Sequence, residues 1–321
     1  MKRAVRVTGL GVVRAPEGGS REGADRERRV SAVLAALTQA GPPIRLVHPL
    51  EEAAVLAASE ALASAGVPMP VGGEGIGVAL GVEEGIDELK AEYYRGILKE
   101  GPLGASPIVF PFTTPNTVAA RISILLDLRG ESFTLCSGSL SGAQALGLAL
   151  ADLREARSRA ILAGGVTAVG RVFLDALAST GRPDDGEVGV GACLLLLERS
   201  ASSTEGGAGE LLGYAEGFGR EEVRDAVQAC LEDAGIPADR VTRVLVASAG
   251  DARALLEPLR RLAPGASIGR ASAPHLYAAS FPLAVAEAIQ AAEATAGPVL
   301  VVGTDCLSGA SAALVRGRAR R

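Results

Sequence analysis

The stretch Phe133-Thr-Leu-Cys136-Ser137-Gly-Ser139-Leu-Ser141-Gly142 runs directly into the apolar segment Ala143-Gln-Ala-Leu-Gly-Leu-Ala-Leu150. A short β-rich run, a cluster of small residues and a helical pattern put a nucleophilic side chain at a helix N-terminus. Free backbone N–H groups and the positive end of the helix dipole converge there, favouring anionic oxygen or sulfur. Cys136, Ser137 and Ser139 compete for that position. The cluster does not fit Gly-x-Ser-x-Gly, so a nucleophile elbow is not indicated.

Working outward, the chain repeats itself. Ala61-Leu-Ala-Ser-Ala-Gly66-Val-Pro68 reads like Cys230-Leu-Glu-Asp-Ala-Gly235-Ile-Pro237. Continued without gaps, Ile76–Gly81 falls on Leu245–Gly250. Each copy predicts a helix (Glu51 to Ala65, Glu221 to Ala234), a glycine stop, a short loop and a buried strand. A second pair leads from helices ending near Arg154 and Glu293 to the strands Ala160–Gly165 and Pro298–Gly303. These strands are continuous apolar runs, as expected where helices cover both sheet faces. The reading is two related α/β halves, 1–206 and 207–321, packed as one unit. The seam is Ser200–Gly209, and the first half carries an insertion at about 83–129. That insertion holds Tyr93, Tyr94, Phe110 and Phe112, a concentration of aromatics in a chain with 3% of them, expected to mark a packed interface or lid.

Composition limits the function classes. The 321 residues are 48% hydrophobic and 21% charged, enough apolar surface for a sizeable core. A net charge of −5 gives no basic field for nucleic acid. No apolar run has the length of a membrane span, and the expected compartment is the cytoplasm. Cys136, Cys193, Cys230 and Cys306 have neither metal nor disulfide spacing. Val7-Thr-Gly-Leu-Gly-Val-Val13 contains Gly-x-Gly without the third glycine or a downstream acid, so it reads as a strand end. No cofactor and no metal are expected.

The order of several segments resembles the β-ketoacyl-acyl-carrier-protein synthases of fatty-acid and polyketide synthesis, with their thiolase fold. These segments are Val5–Val13, Asn116–Ile124 with Leu128-Arg-Gly130, Ala163-Gly-Gly165, Gly189–Glu198, Ser272-Ala-Pro-His275 and Ala312–Val315. The resemblance implies two duplicated α/β halves in a five-layered αβαβα unit. It also implies acyl transfer from a carrier protein to a cysteine, assisted by two histidines and an oxyanion hole.

Carried over residue by residue, that machinery is incomplete. The family pattern Thr-Ala-Cys-x-Ser-Gly, anchored on Ser141-Gly142, puts Ser139 at the cysteine position and leaves Cys136 upstream as an expected buried structural thiol. The first histidine motif is replaced by Ser248-Ala-Gly250-Asp251, and the lysine before the second by Arg270. His275 stands at the second histidine, with Pro274 in place of glycine. A Phe-Gly-Phe-Gly-Gly loop is reduced to Asp305-Cys-Leu307-Ser-Gly309, and Val190 replaces a glutamate. Ser139 and His275 are thus the candidate catalytic pair, with Arg270, Ser248, Asp305 and Leu307 as substrate-binding candidates. The bland alternative makes Ser139 a space-filling helix cap and His48 a surface loop residue.

Two functions follow. One is a chain-length-factor-like partner of an active ketosynthase, without condensing activity. The other is a Ser139-dependent acyltransferase or decarboxylase acting on acyl or malonyl thioesters. The implied partners are an acyl carrier protein or acyl thioester and a second subunit. That subunit is a copy of this chain or a ketosynthase, paired along Phe133 to Leu135.

Overall fold

The computed structural model describes residues 4–16, 29, 31–32, 48–73, 75–83, 85–179, 189–199, 207–247, 252–272, 276–292, 297–305 and 309–318. The first half contributes β1 (Val5–Pro16), α1 (Pro49–Ser64), β2 (Ile76–Val82), α2 (Asp87–Glu100), α3 (Asn116–Leu126), β3 (Ser132–Leu135), α4 (Ser141–Arg154), β4 (Ala160–Ala168), α5 (Arg171–Ser179) and β5 (Gly189–Arg199). The second contributes β6 (Gly209–Phe218), α6 (Glu222–Ala234), β7 (Arg243–Val246), α7 (Ala252–Leu262), β8 (Ser267–Arg270), α8 (Tyr277–Ala292), β9 (Val299–Thr304) and β10 (Gly309–Gly317).

The strand order shows the duplication directly. The first five strands lie β3-β2-β4-β5-β1 and the last five β8-β7-β9-β10-β6. Each set is parallel at its β3 or β8 end and antiparallel toward β1 or β6. The sets join where the start of β1 pairs with the start of β6. The helices divide three cores among five layers. Helices α4 and α8 lie between the sheets, among Leu146, Leu150, Leu195, Phe281, Val285 and Val301. Helices α1 and α3 cover one outer face, and α6 the other. The strands β2 and β4, apolar except for Thr167, are buried at every position because helices cover both faces.

The repeated helix stops have one geometry. Val67 N donates to the carbonyl of Leu62 and Ile236 N to that of Leu231, while Gly66 and Gly235 have φ of 71° and 64°. This glycine-ended cap satisfies carbonyls that the helix leaves free. The predicted strand at Leu245–Gly250 is observed as β7, ending at Val246, and 248–250 lie outside the described residues. The expected seam also falls largely outside them, at 200–206.

The insertion divides in two. Its second helix, α3, buries Val118, Ala119, Ile122 and Leu126 against α1 and belongs to the core. Its first, α2, buries no residue. Around α2 lie Leu98 and Leu103, 84% and 94% exposed, and an aromatic group in which the Tyr93 ring is 5.8 Å from both Tyr94 and Phe110.

Candidate active site

Close backbone packing positions the start of α4. A Cβ on Gly142 would stand 2.0 Å from the carbonyl oxygen of Ala278, and one on Gly81 would stand 2.3 Å from the Gly142 nitrogen. Only residues without side chains let the end of β2, the start of α4 and the start of α8 meet. The end of β2 and the start of α8, one from each half, therefore pack against the start of α4 that follows the loop 136–140.

That loop is closed by Ser141. Its hydroxyl accepts from Ser137 N at 2.9 Å and donates to the carbonyl of Gly138, which has φ of 82°. Leu140 is the helix-cap residue, with no side-chain cap bond. Ser139 is therefore half-buried just ahead of the helix and does not cap it. The cap alternative is corrected: the hydroxyl that ties the turn belongs to Ser141.

Cys136 also differs from expectation. It is exposed, because β3 is an edge strand paired only with β2 among the described residues. Its thiol is nevertheless pushed up by partial burial, against a lowering by Lys90. Among the described residues the buried thiols are Cys193 and Cys230, the first raised to about 12 by burial. His48 is half-buried rather than on the surface. It caps α1 by accepting from Leu50 N through Nδ1 at 3.2 Å, and burial lowers its pKa.

Of the other site candidates, Arg270 ends β8 in an exposed position, paired in register with Val246. Asp305 follows β9, and its Oδ1 accepts from Gly309 N at 2.8 Å, tying the loop to the start of β10. Ser248, His275 and Leu307 lie outside the described residues.

The structure adds Glu83, which the sequence reading names only as the first residue of the insertion. Glu83 leaves the end of β2 with its Oε1 3.7 Å from where a Cβ of Gly138 would lie. Burial first, and then the Asp305 carboxylate from the other half, raise its carboxyl to about 7. The sequence signal was an acid immediately after a fully apolar strand, at the end where such sheets place their ligands.

A second polar group joins the halves. Ser137 donates to the Gln144 side-chain oxygen, and Gln144 Nε2 donates to Glu216 at 3.2 Å. The Tyr214 hydroxyl donates to Glu216 at 2.8 Å and lies 3.2 Å from the buried Ser311 hydroxyl. Gln144, Tyr214 and Glu216 line a cavity of about 820 Å³, with Leu135 and Leu148 on its apolar wall; Ser139 does not line it. At its far end Arg154 on α4 pairs with Asp233 on α6 at 2.7 Å.

Comparison with known proteins agrees with this geometry. Residues 24–179 match the family described as beta-ketoacyl synthase, N-terminal domain. A nodulation protein E of Rhizobium leguminosarum bv. trifolii is 35% identical over 114 residues, 35% of this chain and 28% of that protein. A nodulation protein E of Rhizobium sp. strain N33 is 30% identical over 209 residues, 57% of this chain and 52% of that protein. The matches thus span about half or less of these relatives' lengths. The solved ishigamide ketosynthase/chain length factor superposes with a TM-score of 0.77 at 20% identity, covering 98% of this chain and 99% of that one. The fold is the thiolase-type fold of the ketosynthases.

Proposed function

We propose that this chain, which belongs to the beta-ketoacyl synthase family through residues 24–179, is a non-condensing member that acts as a chain-length-factor-like partner of an active ketosynthase. The carrying observation is at the start of α4. Ser139, the residue the register puts at the family's cysteine position, is half-buried ahead of the helix, and Cys136 is exposed just after the edge strand β3 with its thiol pushed up. A serine hydroxyl barely ionises near neutrality and needs a base to attack a thioester. A thiol just after the edge strand, five residues ahead of the helix, has neither the helix N-terminus nor a lowered pKa to activate it.

The partner role draws support from the edge of β3, unpaired among the described residues, and from the exposed apolar side chains around α2. An unpaired strand edge is a template for pairing with another chain, and clustered exposed apolar groups favour burial in an interface. The fold likeness to a ketosynthase/chain length factor fits the same role. Acyl carrier protein is then met by the assembled pair, in the cytoplasm. Among the described residues no helix is long and apolar enough to cross a membrane.

Co-expression with a ketosynthase that retains its cysteine tests this reading. The expected result is a stable complex whose product length differs from that of the ketosynthase alone. Thr134→Lys, which places a charge on the β3 edge, is expected to weaken the complex at least tenfold in sedimentation. Failure of the two chains to associate contradicts the partner role.

A second reading, chemistry on an acyl or malonyl thioester within this chain, is favoured by one observation, the Glu83 carboxyl against the Ser139 loop.

A further inference from the structure

The cavity between α4, β6 and α6 holds one charge that the chain does not neutralise. Its charged lining among the described residues is Arg154, Glu155, Glu216 and Asp233. Arg154 pairs with Asp233 at 2.7 Å, and its other arm donates to the Leu212 carbonyl at 2.7 Å. Glu155 pairs with Arg157. Glu216 is different. It accepts from Gln144 at 3.2 Å and from the Tyr214 hydroxyl at 2.8 Å, and it has no ion pair among the described residues. Burial first, and then Glu216 itself, hold the Tyr214 hydroxyl well above its ordinary value, so it stays a neutral donor. A carboxylate has about four acceptor positions, so two neutral donors leave room for a cation.

The surroundings of the cavity lack a cover. Ala151 and Glu155 at its rim are exposed, and Leu135 on its apolar wall is the last residue of the edge strand β3. Side chains alternate along β6, so Tyr214, Glu216 and Phe218 share one face. That face looks toward α4, since a Cβ on Gly147 would stand 2.1 Å from the Tyr214 ring. Phe218, on the same face at the end of β6, is 67% exposed. An exposed phenylalanine beside an unpaired strand edge calls for a protein cover.

We propose that this cavity is a specificity pocket for the partner subunit: a lysine or arginine side chain of the paired ketosynthase enters it, with its charged end on Glu216 and its aliphatic stem against Leu135 and Leu148. The proposal rests on the reading of the chain as the partner of an active ketosynthase. A chain that pairs with the β3 edge reaches the cavity wall at Leu135. Long cationic side chains suit such a pocket because the stem is apolar and only the tip is charged. Closing an interface over Glu216 without a cation strands its charge away from water, which is costly. Subunits that bring no cation, or bring an acid, are thereby rejected.

The test co-expresses the full chain with a full-length ketosynthase that retains its cysteine and measures the dissociation constant by sedimentation. Glu216→Gln keeps an oxygen for Gln144 and Tyr214 and is expected to leave the unfolding midpoint unchanged while weakening the complex at least about tenfold. Glu216→Lys sets like charges together and is expected to weaken it at least about 100-fold. The structure of the natural complex, which needs no variant, is expected to place a lysine or arginine nitrogen of the ketosynthase within about 4 Å of the Glu216 carboxylate. Equal affinity in Glu216→Gln, or a complex with no cation at Glu216, overturns the proposal and leaves the partner role intact. Two measurements on the chain alone name other occupants. A dimer of this chain that Glu216→Gln breaks assigns the cavity to a second copy, and saturable binding of octylammonium that Glu216→Gln abolishes assigns it to a free amine; either result overturns the proposal. Failure of the natural chain to associate with the ketosynthase overturns the partner role and the proposal with it.

Discussion

At the scale of single residues, Glu83 ties the site to folding stability. Its carboxyl titrates near 7 in the fold against an ordinary value of 4.5. A raised acid pKa means that the folded state disfavours the charged form. Stability from this group is therefore fully present below about 4.5 and is lost progressively as pH rises toward 7. Glu83→Gln, which cannot ionise, is expected to raise the unfolding midpoint relative to the natural chain at pH 8 and to leave it unchanged at pH 4. Thermal unfolding at the two pH values checks this, and an equal effect at both would show that the proton is not involved. The Ser141-Gly142 register points to Ser139 as the cysteine position, and the structure has that residue half-buried just ahead of α4. The sequence marks Glu83 only as an acid after an apolar strand; its raised carboxyl was not legible, because it comes from burial and from Asp305, 222 positions away, with Thr167 and Gly138, 84 and 55 positions away, around it. Desolvation by such neighbours leaves no local pattern. The same blindness misplaced Cys136: a β-rich run reads alike in a central and an edge strand, and only the sheet order exposes it.

Among the elements, the repeated helices and strands were legible because their punctuation is local. A glycine stop with proline two residues on ends α1 and α6 alike, and the two carry the same cap bonds. The insertion was less legible. The amphipathic run of α3 buries its apolar side on α1, whereas α2 buries nothing, and sequence position does not separate them. The meeting of α4 and α8 depends on a single missing methyl group. Gly142→Ala would drive a Cβ to within 2.0 Å of the Ala278 carbonyl, which is backbone and cannot turn aside. Overpacking of this kind costs about 1–3 kcal/mol. Chemical denaturation is expected to show that loss together with a displaced α4 start, and a neutral effect would mean that the two central helices are less closely fixed than described.

For the molecule as a whole, duplication explains why one site has contributors from both halves. Each five-stranded set has the same order, and Glu83 at the end of β2 feels the charge of Asp305 at the end of β9. Such a frame can keep its fold while its chemistry changes, since function resides in the site rather than in the layers. The polar chain from Ser137 through Gln144 and Glu216 to Tyr214 couples the loop to the second half independently of any thiol. We propose that condensation is lost at this frame. Intact mass spectrometry of the chain after incubation with acyl-carrier and malonyl-carrier proteins, with product analysis of the same mixture, measures that loss directly. The predicted result is an unmodified chain mass and no β-ketoacyl product. An acyl adduct that disappears in Ser139→Ala, accompanied by a β-ketoacyl product, would contradict the account.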